Sequence, residues 1–351
     1  TKNNQTDNDD LYKIYWEDTK MEFSATAGTA GGSLKALFEV RDGDNLENFK
    51  GKVTKADSYS LTVENTSIDN IKSLNLPDKD GKITVNNISY SYDSWEAQVD
   101  AQGNIKSVTF NLSKDKAIAD PEKTVAEGYL LNAGSAINAR GIPYYMTQLN
   151  EFVRNFSEMF NQIESKGQNL NGDTPPTFFE AITSTAKVYD FSESAAYSKL
   201  PDGKTATINS SSNTYYRMTA ANFSVNKDVM NDVSLFATAT DYVKTDSCDI
   251  VDELKKLQSE KTVYRGDKAE SFLETIISNV SVDTEKAETY NKLYSNLEQT
   301  IANQRTSVSG VDEDEEALNL VKFQYSYNMA SKIISVMNQM LDKLINDTGV
   351  A

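Results

Sequence analysis

Apolar residues recur at intervals of three and four along three long stretches of the chain, the spacing of one buried helix face. Over 143–166 the stripe is Tyr145, Leu149, Phe152, Phe156, Met159 and Ile163. Pro143 suits the first turn of that helix, and Gly167 stops it. Over 270–305 the stripe is Leu273, Ile276, Val280, Ala287, Tyr290, Tyr294, Leu297 and Ile301, with a slip of phase across Asp283-Thr284 that predicts a kink, a stutter or a break. From 312 onward Leu318, Val321, Tyr325, Met329, Ile333, Val336, Met340 and Leu344 keep the rhythm, with Leu320 beside them. Asn319, Lys322, Lys332, Asn338 and Lys343 are read as the opposite, polar face. Asp312 is placed to cap this last helix, Glu315 completes a capping-box-like pair, and the acidic run from Asp312 to Glu316 suits the positive end of the helix dipole. A helix running to about 345 is ~50 Å long. A compact core needs less, so the stretch predicts a helix-to-helix seam or an assembly role.

Between 44 and 140 the period changes from helical to two. Val108, Phe110 and Leu112 alternate with Thr109 and Asn111, and shorter β-prone runs start at Gly51, Tyr59, Lys82 and Ile88. Asp80-Gly81 and Gln102-Gly103-Asn104 are read as hairpin turns. The expected organisation is α+β, multidomain and elongated: a coiled-coil-like helical bundle with an inserted, mostly antiparallel β domain. In numbers, 1–10 is a flexible tail, 11–43 plus 141–311 a discontinuous bundle, 44–140 the insertion, and 312–351 a C-terminal assembly helix. Within the bundle, 11–23 is a short helix or strand, 25–32 a loop, and Ser33 caps a short helix bearing Leu34, Leu37 and Phe38. A β/loop elaboration is expected around 178–225, with Tyr215 to Thr219 and Asn222 to Val225 as strands. A helix is expected from Cys248 to Glu260, with Ile250, Val251, Leu254 and Leu257 on one face.

Charge and composition narrow the function. The formal net charge is −17 over 351 residues, which opposes binding to nucleic acid or to an anionic membrane surface. No apolar run is long enough to span a bilayer. Histidine is absent, which removes His-based triads and His zinc sites, and a single cysteine, Cys248, removes thiolate clusters and internal disulfides. No enzyme activity, cofactor or metal is expected. The alternative of another class is a carboxylate-only hydrolase or sugar-binding module in the β region. It would use Asp57, Asp69, Asp93 and Glu96, with Trp95, Tyr90 and Tyr92 as stacking groups.

The run from Ser307 to Val311, the acidic turn, and Leu320 through Ile334 together resemble the C-terminal signature of the flagellar rod, hook and hook-associated axial proteins. Further stretches are similar to hook-associated members: Gly31 to Asp42, Ile142 to Val153, Asn169 to Gly172, Pro176 to Phe179, Thr219 to Val225 and Gln299 to Gly310. The likeness covers about 11–43 and 141–346 and skips the β region. It implies a structural subunit at the junction of hook and filament, required for filament assembly; the alternative within the family is a hook or filament-side subunit. It also implies an extracellular protein exported by the flagellar type III system. The implied partners are hook protein, the filament-side hook-associated protein, further copies around a tubular axis, and an export chaperone on the C-terminal helix. In the family an N-terminal helix pairs with the C-terminal one. No counterpart precedes Leu11, so the terminal helix is expected to present a bare hydrophobic face.

Overall fold

The computed structural model describes residues 31–347 apart from 79–80, 115–116, 119–120, 122–124, 126, 135, 184, 244–246 and 261–263, together with 2–3, 11–12 and 17–19. Beyond these short pieces, the tail, the 11–23 element and the 25–32 loop expected from sequence lie outside the described residues. The chain forms two compact units, 1–277 and 278–351, and its class is α+β.

In the first unit a short antiparallel pair, Lys2–Asn3 with Leu11–Tyr12, precedes α1, Gly32–Asp42. Six strands follow: β1 (Lys50–Asp57), β2 (Ser60–Glu64), β3 (Gly81–Val85), β4 (Ile88–Val99), β5 (Ile105–Leu112) and β6 (Leu130–Ala133). All pair antiparallel, in the order β4-β3-β6-β1-β2-β5, and β5 pairs back onto β4. The sheet therefore closes into a barrel. Closure is possible because β4 is long and has a register shift between Tyr92 and Ser94: residues 88–92 serve β3, and residues beyond serve β5. Alternation along the strands fills the interior with Val53, Leu61, Val63, Ile83, Trp95, Phe110 and Leu131. The β3–β4 turn is Asn86-Asn87, both with positive φ (48° and 61°), a pair suited to a tight primed turn. Asp80 lies outside the described residues, and Gly81 is the first residue of β3 rather than a turn.

The chain enters and leaves this barrel through one stem. The Gly141 N–H donates to Gly43 O at 3.0 Å, Asn45 N–H to Ala139 O at 2.8 Å, and Asp44 bridges antiparallel to Arg140. A Cβ on Gly43 would sit 2.4 Å from Glu39 O, and one on Gly141 2.5 Å from the same oxygen. Only hydrogen fits between these backbones. Gly43→Ala or Gly141→Ala is expected to cost about 2–3 kcal/mol by overpacking, read as a lower urea midpoint.

After the stem comes α2, Ile142–Glu164. Its apolar stripe packs on two clusters. Tyr145, Leu149, Phe152 and Phe156 meet Tyr264, Ala269, Phe272 and Ile276; Met159 and Ile163 meet Ile250, Leu254 and Leu257 of α3 (Asp249–Ser259). The other face is buried as well, and it is polar. Asn150, Glu151, Arg154, Ser157, Glu158, Asn161 and Glu164 are all 7% exposed or less. Arg154 donates to three carbonyls, Met218 O at 2.9 Å, Lys72 O at 3.0 Å and Leu74 O at 2.6 Å, and lies over the Tyr216 ring. Glu158 pairs with Lys72 at 2.7 Å. The Asn161 amide donates to Phe179 O and Tyr215 Oη and accepts from Phe179 N–H. The Tyr215 phenol, buried beside Glu158, is pushed up to about 12.

Residues 178–225 wrap this polar face. β7 (Phe179–Ala181) pairs with β9 (Phe223–Val225), while β8 (Ala206–Asn209) adds to β4 along 96–99, outside the barrel closure. Tyr215 to Thr219 is not a strand but a 3-10 turn over Tyr215–Arg217. Thr214 Oγ1 accepts from Tyr216 N–H, and the two tyrosines point into different clusters, Tyr215 with Phe179 and Tyr216 with Trp95. The Tyr216 hydroxyl bonds both Leu76 O at 2.8 Å and Leu76 N–H at 3.1 Å.

Candidate assembly surface

Two long helices close the chain: α4, Ala269–Ser309, and α5, Glu313–Asp347. α4 is continuous across Asp283-Thr284, so of the kink, stutter or break expected from the phase slip, a break does not occur. The Thr284 hydroxyl donates to Val280 O at 2.8 Å, so this polar residue is accommodated within the helix. α4 ends where Gly310 N–H donates to Thr306 O, and a Cβ on Gly310 would lie 2.2 Å from that oxygen. Asp312 Oδ1 then accepts from Asp314 N–H at 2.9 Å and Glu315 N–H at 3.4 Å, capping α5. The Glu313–Glu316 carboxylates occupy its first turn, where the dipole favours them.

No described residue from 277 to 347 is buried. On α5, Leu318, Val321, Tyr325, Met329, Ile333, Val336, Met340 and Leu344 form one stripe, exposed by 45–68%. Leu320 is not on it. With Phe323, Tyr327, Ile334, Met337, Leu341 and Ile345, all at least half exposed, it forms a second stripe, rotated roughly 140° around the axis at 3.6 residues per turn. Lys322, Lys332 and Lys343 fall near the first stripe, not opposite it. The signal was present as a second run of three- and four-residue gaps, and reading one phase alone missed it. A helix apolar on two nearly opposite sides is the composition of a buried helix. On α4, Tyr290, Leu293, Tyr294, Leu297 and Ile301 are likewise about half exposed or more, with the two tyrosine rings 6.3 Å apart.

Trp95, Tyr92 and Tyr90, the stacking groups of a sugar-binding reading, are 5% exposed or less and belong to the barrel core. Asp57 is engaged by Ser60 and Lys55, and Asp93 by Ser113. Among the described residues no group of three or more Asp, Glu, Cys or His side chains is arranged to hold a metal, and no helix is long and apolar enough to cross a membrane. Cys248 is exposed, at the start of α3.

Comparison with known proteins agrees with the resemblance read from the sequence. Residues 302–347 match the family described as flagellar basal body rod FlgEFG protein C-terminal. Over 341 residues the chain is 21% identical to flagellar hook-associated protein 1 of Bacillus subtilis (strain 168), covering 95% of this chain and 56% of that protein. The chain thus spans a little over half the length of this curated relative. Residues 302–347, the end of α4 and all of α5, are thus similar to a rod-type C-terminal family, and nearly all of the chain is similar to a hook-associated relative.

Proposed function

We propose that this chain is a structural subunit of the junction between hook and filament, required for filament assembly. The observation that carries the reading is α5, a 35-residue helix apolar on two sides with no buried residue. Such a helix gains its stability from packing against other chains or segments. In this reading 312–351 is the assembly helix, 11–43 plus 141–311 an elongated, coiled-coil-like bundle, and 44–140 an insertion entered through the Gly43–Gly141 stem. Its partners are hook protein on one side and the filament-side hook-associated protein on the other. Copies meet through heterologous contacts around a tubular axis, and an export chaperone covers α5 before secretion by the flagellar type III system. The cells' exterior is its site of action. A rod or hook position is the second reading, favoured by the rod-type match over 302–347. A strain lacking the chain is expected to make hooks without attached filaments. Normal filaments overturn the junction reading, and missing hooks favour the second.

A further inference from the structure

Glu164 ends α2 and is 1% exposed, and neither carboxyl oxygen has a hydrogen-bond partner of normal geometry. It sits in the last turn, where the negative end of the helix dipole opposes an anion. The chain turns tightly past it. A Cβ on Gly167 would lie 2.7 Å from the Ala237 side chain and 3.0 Å from Ile250. Gln168 N–H donates to Ala239 O at 3.0 Å, so the 237–239 loop is laced to the end of α2. Below it, Ile163, Ile250 and Leu257 seal α2 against α3.

Several charged groups on these elements are committed elsewhere, while α3 also carries Asp252, Lys255 and Lys256. On α2, Glu158 faces Lys72. Lys166 reaches Glu253 of α3 at 3.1 Å, at the surface. Asp249, at the start of α3, accepts from Thr240 and Ser247, and Asp241 accepts from Val243 N–H. Burial lifts the Glu164 carboxyl to about 7, and the nearby Ala237 N–H offsets this in part.

We propose that Glu164 is a proton-operated latch on the joint between α2 and α3. Protonated, it lets the 237–239 loop and α3 close over the end of α2; ionised, it must be hydrated, and the joint opens to admit water. The sign follows from linkage. A carboxyl whose folded value stands above its unfolded one stabilises the closed joint fully below the unfolded value, and that stability is lost as pH rises through the folded value.

Hydrogen exchange on the full chain tests this, with rates corrected for the intrinsic effect of pH. Between about pH 6 and about pH 8.5 the opening equilibrium of α3 amides is expected to rise about tenfold. Barrel amides of β2 and β5 serve as the internal control and are expected to stay flat. Glu164→Gln, which keeps the shape and removes the titration, is expected to abolish the pH dependence in α3. Unchanged α3 protection in the unsubstituted chain overturns the latch, as does a Gln variant that keeps the tenfold dependence.

Discussion

Arg154→Ala is expected to destabilise the first unit by about 3–5 kcal/mol. Arg154 is 2% exposed, and its guanidinium supplies Met218, Lys72 and Leu74 with their side-chain donor while resting on Tyr216. Truncation leaves these carbonyls without that donor in a space too closed for ready hydration. It also removes the joint between three separate parts of the chain: α2, the 71–74 turn of the barrel region, and the 215–218 turn. Arg154→Lys restores charge but not the planar fork, and is expected to recover only part of the loss. The readout is the urea midpoint, followed by tryptophan fluorescence in a Trp16→Phe background so that Trp95 alone reports. Trp95 is fully buried and stands 5.0 Å from the Tyr216 ring, so loosening of the barrel from α2 exposes it. A loss below about 1 kcal/mol would show that the clamp is incidental.

The same residue marks the limit of what the sequence conveys. Periodicity found α2, and found it because Tyr145 to Ile163 is an apolar stripe against an aromatic and aliphatic partner surface. It says nothing of the opposite side. Arg154, Glu158, Asn161 and Glu164 are buried, the first three answered by groups 18 to 86 positions away and Glu164 only by the nearby Ala237 N–H. Nothing in local spacing encodes such partners. The strands of 50–112 were legible from alternation, above all in β5. The addition of β8 from 206–209 to the edge of β4 was not, because a four-residue strand flanked by polar loops carries little period. On α5 the reverse holds. The cap at Asp312 and the first stripe could be read from spacing, since both are local. The second stripe was as visible, yet one helix was assigned one sticky face. What covers either face lies beyond any pattern within the helix.

Leu320→Ser, Ile333→Ser and Met340→Ser combined are expected to abolish incorporation into the flagellum while leaving the chain folded. The three sample both sides of α5: Ile333 and Met340 lie on the first stripe and Leu320 on the second, exposed by 59%, 66% and 70%. Side chains this open contribute little to the stability of the isolated chain, so circular dichroism and the urea midpoint of the first unit are expected to stay close to those of the parent. Serine lowers helix propensity modestly at each position, which a 35-residue capped helix tolerates. In an assembled structure the balance is different. Each large apolar side chain that becomes fully buried contributes about 1.5–3 kcal/mol, so losing three removes roughly 4–9 kcal/mol. At about 1.4 kcal/mol per decade, the contact weakens by at least ~10³-fold. Secretion without incorporation, with the protein recovered in the medium, is the expected phenotype. A contrast variant with serine at Phe323 and Tyr327 alone separates the faces. If both sides of α5 are covered in the assembly, this variant fails to incorporate as well. If only the first stripe is covered, it incorporates normally, and the second stripe serves another contact. Ordinary filaments from the triple variant would show that α5 is not the assembly helix.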